Sequence, residues 1–129
     1  MLNQTGYQAY QKNKYETASP HRLIQMLYEG ALKNISGAIK ALENKEINES
    51  HLKILKAQDI ISELLSSLNE EHGGTIATNL KNIYLYMLER LVQANIRKDN
   101  TPLLEVARLL QEIKSAWDQI GREVSVGHG

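Results

Sequence analysis

The 129-residue chain has no cysteine. That excludes disulfides and thiolate zinc sites, and it fits a reducing compartment. It has no phenylalanine and only two prolines, Pro20 and Pro102. Proline is the strongest helix breaker, so its scarcity leaves long stretches of Leu, Ile, Ala, Glu, Gln and Lys free to form helix. Neither sign of charge dominates, with 15 Lys and Arg against 15 Asp and Glu. A nucleic-acid partner is therefore not expected, because such binding needs a basic excess on one face. No run approaches the roughly 18 consecutive apolar residues of a membrane span, so no membrane insertion is expected. Met1 to Tyr15 is polar and lacks the apolar stretch of a signal peptide. The expectation is a soluble protein of the cytoplasm, of one domain's size.

Catalytic and ligand-binding patterns are missing as well. The histidines are His21, His51, His72 and His128. No two stand four apart, as a helical zinc site requires, and Gly73-Gly74 lacks the Lys-Ser/Thr of a phosphate loop. No metal site, no cofactor and no catalytic residue is expected, and the chain does not read as an enzyme. His51 raises one alternative, because histidine phosphotransfer domains also place a histidine on a helix of a four-helix bundle. Their pattern puts Lys and Gly one turn after the histidine, where this chain has Ile54 and Leu55.

What is present is helical periodicity. Residues 1–18 form a polar, mobile segment carrying Leu2, Tyr7 and Tyr10. Ser19-Pro20 is a cap followed by a first-turn proline, and Ile24, Leu27, Ala31, Ile35, Ala38 and Leu42 then keep helical spacing. The spacing predicts helices over about 20–43, 49–71, 75–97 and 102–121. Asn44 is the candidate for the left-handed residue after the first helix. Gly73-Gly74 is expected to end the second, Thr101-Pro102 to start the fourth, and 124–129 to be a disordered tail. Similar lengths and short connections predict an all-α, antiparallel, up-down-up-down four-helix bundle. The N-terminal segment could cap it.

The bundle has more apolar surface than it needs. A bundle helix requires an apolar stripe about three residues in seven wide. In the third helix Ile83, Tyr84, Leu85, Tyr86, Met87 and Leu88 follow one another. At 100° per residue they reach every face. The second helix is broad too, with Ile60-Ile61 and Leu64-Leu65 doubled. Such a surplus marks an interaction surface. Homodimerisation or cover by the chain's own N-terminal segment would also bury it. Gly30 and Gly37, seven apart in the first helix, imply close approach of another helix.

Specific residues carry a resemblance. Thr17-Ala18-Ser19-Pro20, Leu23-Ile24 and Met26-Leu27-Tyr28-Glu29-Gly30-Ala31 resemble the signature of the flagellin-specific export chaperones, the FliS family. Lys56-Ala57-Gln58-Asp59-Ile60-Ile61, Gly73-Gly74, the block from Leu80 to Met87, Arg90-Leu91, Ala94-Asn95 and Ala116-Trp117 extend it over nearly the whole chain. The resemblance implies a cytosolic bundle that binds the disordered C-terminal segment of flagellin. Binding would prevent premature polymerisation and aid delivery to the flagellar type III export apparatus, with an export-gate component as second partner. The expected groove lies on the second and third helices at Ile54, Ala57, Ile61, Leu65, Asn79, Ile83, Tyr86, Met87 and Arg90. Leu2, Tyr7 and Tyr10 are the expected lid. The competing reading is a structural or regulatory bundle that self-associates through the same surface.

Overall fold

The computed structural model describes residues 18–128, with side chains as far as Arg122. Among the described residues there are four helices, α1 (Pro20–Glu43), α2 (Ile47–Ser66), α3 (Glu70–Arg97) and α4 (Asn100–His128), and no strand. The chain is an all-α four-helix bundle. Leu2, Tyr7 and Tyr10 lie outside the described residues.

Local chemistry explains each boundary. Ser19 Oγ accepts from the Arg22 amide at 3.1 Å, and Pro20 occupies the first turn, where its missing N–H costs nothing. The left-handed residue after α1 is Lys45, with φ 60°, and not Asn44, whose φ is −89°. The amides of Lys45 and Glu46 return to the carbonyls of Leu42 and Ala41 at 3.1 and 2.7 Å, which is the Schellman closure. α2 stops at Ser66, five residues short of the expected end. Ser66 and Ser67 turn their hydroxyls back on the carbonyls of Ser62 and Leu64, at 3.0 and 2.6 Å, and compete with continuation of the helix. Asn69 then caps α3 by accepting from the His72 amide.

Gly73-Gly74 therefore sits inside α3 and does not end α2. Gly74 has φ 55° and ψ −135°, which only glycine adopts easily, and it kinks α3 after one turn. α4 starts at Asn100, with Asp99 accepting from the Thr101 amide at 3.0 Å, so Asp99 takes the role expected of Thr101. It runs through Gly121, where an exit was expected, and stays helical to His128 across most of the expected disordered tail.

The turns are short, so neighbours run antiparallel. α1 packs most extensively on α2, then on α4, while α3 closes the ring against α2 and α4 with the least contact. The core comes from all four helices: Tyr28, Ile35, Ile54, Ile61, Tyr84, Met87, Leu91, Leu103 and Leu110 are each at most 2 % exposed. Burying each aliphatic member stabilises the bundle by roughly 1.5–3 kcal/mol. Gly30 and Gly37 both face α2. A Cβ at either would stand 3.3 Å from Ile60 Cδ1 or Lys53 Cδ, so the glycines serve tight packing inside the bundle.

Two polar devices set the register. The hydroxyls of Tyr28 and Tyr84 meet at 2.6 Å in the core, tying α1 to its diagonal partner α3. At one end His21 stacks on Trp117, with ring centroids 4.6 Å apart. Trp117 Nε1 donates to the His21 carbonyl at 2.9 Å, and His21 Nε2 donates to the Trp117 carbonyl at 2.7 Å. Gly121 leaves room for that imidazole, because a Cβ there would collide with it. This packing is why α4 tolerates the glycine.

Replacing Tyr84 by Phe leaves the Tyr28 hydroxyl buried without its partner, and the expected loss is about 1–3 kcal/mol by chemical denaturation. Burial pushes both phenols above their ordinary value. The stability they contribute is present below about pH 10, the unfolded phenol's range, and is lost as pH rises beyond it. Thermal melts of wild type above that pH should fall more steeply than those of a Tyr28→Phe/Tyr84→Phe double variant.

Candidate functional site

Several of the apolar side chains that remain exposed lie on α3. Once Tyr84, Met87, Leu91 and Ala94 have entered the core, a second stripe remains at helical spacing: Leu85, Leu88, Val92 and Ile96. Val92 is 46 % exposed and Ile96 77 %, while Met87 and Leu91 are fully buried. This stripe runs along the seam with α2. Asn95 marks the side, because its amide bonds the His51 ring of α2 at 2.9 Å. Leu55 of α2, one turn on from His51, is exposed on the same seam.

The other flank of α3 meets α4. Ile76, Asn79, Ile83, Tyr86 and Arg90 step by three and four residues, so they share one face. Glu105, Leu109, Glu112, Ala116 and Ile120 form the opposing stripe of α4. Tyr86 donates its hydroxyl to Glu105 Oε1 at 2.9 Å, and Arg90 Nε donates to the same oxygen at 2.7 Å. Those two bonds hold the Glu105 carboxyl below its usual range, the Tyr86 bond first, and Glu105 in turn pushes the Tyr86 phenol up. Ile76 is 73 % exposed at the opposite end, where the antiparallel course brings it to the level of the exposed Ile120.

A third apolar feature lies between α1 and α2. Leu23, Leu27 and Ile60 line an open cleft of about 540 Å³, with Asp59 and Glu63 at its rim. The described residues of the bundle thus offer three separate apolar strips. Among the described residues no cluster of His, Asp or Glu could hold a metal ion, and no helix is long and apolar enough to cross a membrane. His51, the candidate phosphoryl acceptor, has its Nδ1 engaged by Asn95, whose carbonyl accepts from Lys98 Nζ at 2.6 Å.

The residues expected to form one groove divide into two groups. Ile54, Ala57, Ile61 and Met87 are fully buried. They are core, because each sits on the face of α2 or α3 that points at the bundle axis. Leu65, Ile83 and Arg90 are partly buried, while Asn79 and Tyr86 are exposed. Asn79, Ile83, Tyr86 and Arg90 share the face of α3 toward α4. Leu55, Leu85, Val92, Ile96 and Glu105, which lie on the same flanks, were not among the expected groove residues. The leftover stripe at 85, 88, 92 and 96 could have been found by subtracting the core positions from α3. Glu105 left no such signal, since its role depends on a neighbouring helix.

The family profile described as Flagellar protein FliS matches residues 2–124. The chain belongs to the FliS family. It is 47 % identical over 103 residues to the flagellar secretion chaperone FliSB of Pseudomonas aeruginosa, covering 80 % of this chain and 82 % of that one. It is 40 % identical over 120 residues to the flagellar secretion chaperone FliS of Vibrio cholerae, covering 90 % and 88 %. The FliS chaperone of Salmonella typhimurium is 40 % identical over 130 residues, covering 97 % and 96 %. FliS proteins are flagellar secretion chaperones and not enzymes, and as a chaperone this FliS-family chain serves a client protein.

Substitution separates the two groups. Met87→Ala should cost about 2–5 kcal/mol in urea unfolding, because it opens a core cavity. Val92→Ala should stay within about 1 kcal/mol, since its side chain is half in water.

Proposed function

We propose that the chain binds the C-terminal, disordered segment of flagellin in the cytosol and holds it in a non-polymerising state for delivery to the flagellar type III export apparatus. The observation that carries this reading is the pair of apolar stripes left exposed on both flanks of α3 after the core is complete. A single globular partner could not easily reach both flanks and the cleft between α1 and α2. An extended client, folding piece by piece, can lay an amphipathic turn into each. The client-contacting residues are then Leu55, Leu65, Leu85 and Val92 beside α2, and Asn79, Ile83, Tyr86 and Arg90 beside α4. Leu2, Tyr7 and Tyr10 serve as a lid that covers apolar surface until the client arrives.

The energetics suit such a client. Ordering a disordered segment costs about 2–5 kcal/mol or more. A half-exposed Leu or Val gains only part of the roughly 1.5–3 kcal/mol of full burial, so several strips must be covered at once. Release then needs no chemistry, only unfolding or handover of the client, and a component of the export gate is the natural recipient. Membership of a secretion-chaperone family supports the same reading.

Calorimetric titration with a flagellin C-terminal peptide tests it. One-to-one binding, a negative heat-capacity change and a gain of helical circular dichroism are expected. Tyr86→Asp should weaken binding by about tenfold or more while the bundle still melts cooperatively, because Tyr86 is 42 % exposed. Absence of binding at tens of micromolar chain would end the flagellin reading.

A further inference from the structure

The geometry points to Glu105 of α4 as a positioning residue for the client surface, one that acts through Tyr86 and Arg90 of α3 and not by touching the client core itself. This inference rests on the flagellin-binding reading. One carboxylate oxygen, Oε1, accepts both the Tyr86 hydroxyl at 2.9 Å and Arg90 Nε at 2.7 Å. Arg90 is further held by Gln93, which accepts from its guanidinium. The two longest side chains of the α4-facing stripe are thus fixed by a single acceptor on the neighbouring helix. Without it, a phenol and a guanidinium at a half-open seam would sample several rotamers. Ordering each on binding would then weaken affinity.

The position of the clamp adds to the argument. α3 and α4 are the least closely packed neighbours in the ring, and the clamp joins them across that seam. The Arg90–Glu105 pair is only about one-quarter to one-third exposed, at 24 % and 31 %, and so is better shielded than an ordinary surface pair. The clamp closes one end of the α3–α4 seam, and the exposed Ile76 and Ile120 mark its other end. A client turn lying in that seam would meet an apolar floor bounded by a preformed polar edge. Glu105 would set that edge by neutralising Arg90 and aiming the Tyr86 ring along the seam.

The test is a double-mutant cycle read by peptide titration. Wild type, Glu105→Ala, Glu105→Gln, Tyr86→Phe/Arg90→Met and the triple variant Glu105→Ala/Tyr86→Phe/Arg90→Met are titrated with the flagellin C-terminal peptide, and each is melted. Glu105→Ala should weaken binding about tenfold, and Glu105→Gln, which keeps an acceptor, about threefold. In the background without the two donors, Glu105→Ala should change affinity less than about twofold. A purely structural role would instead lower melting temperature and affinity alike in both backgrounds. Wild-type affinity in Glu105→Ala, or an equal loss in the donor-less background, overturns the inference. If Glu105→Ala fails to fold, Glu105→Gln decides: affinity equal to wild type overturns the proposal. Failure of wild type itself to bind the peptide would instead count against the flagellin reading.

Discussion

The structure depends on how α3 divides its apolar residues. Four helices in a ring can bury about one face of each. α3 carries bulky apolar residues on every face, so the ring satisfies Tyr84, Met87, Leu91 and Ala94 and leaves the flanks at Leu85, Val92 and Ile96 and at Ile76, Ile83 and Tyr86. Core formation and surface chemistry are two consequences of the same sequence block. A helix with a narrower stripe would leave less apolar surface exposed on its flanks.

The polar contacts show how such a helix stays in register. Each of the other helices makes one directional tie to α3: Tyr28 of α1, His51 of α2 and Glu105 of α4. Hydrophobic contact is non-directional and would permit a greasy helix to slide or rotate. A hydroxyl pair at 2.6 Å in the core does not, because a one-residue slip would strand two buried donors. α1, by contrast, is held by close packing at Gly30 and Gly37 and by the His21–Trp117 stack. The bundle thus has a rigid wall built around α1 and a more sparsely packed wall at α3, and the exposed apolar strips are concentrated on the second.

Among the described residues the titratable groups pushed off their ordinary values are the buried phenols of Tyr28 and Tyr84, the exposed phenol of Tyr86, and the carboxyls of Asp99, Glu105 and Asp118, and each is explained by burial or by a hydrogen-bonded neighbour. Asp118 is held low by Lys114 and then Gln25, at the α1–α4 seam. Such groups contribute stability and register.

The sequence by itself determined the number of helices, the all-α class, the N-cap at Ser19 and the existence of apolar surplus in α3. Those follow from local propensity, capping and periodicity, all encoded within a few neighbouring residues. The end of α2 was less legible, because Ser66 and Ser67 decided it by back-bonding while the more conspicuous Gly73-Gly74 pair only kinked α3. Tertiary structure alone decided which apolar residues became core. Ile54 and Leu55 are adjacent and chemically similar, yet one is fully buried and the other 38 % exposed, because the direction of the bundle axis is set by the other three helices. The pairing of Tyr86 and Arg90 with Glu105 was equally invisible in the chain, since it joins residues 19 and 15 positions apart through the packing of two helices.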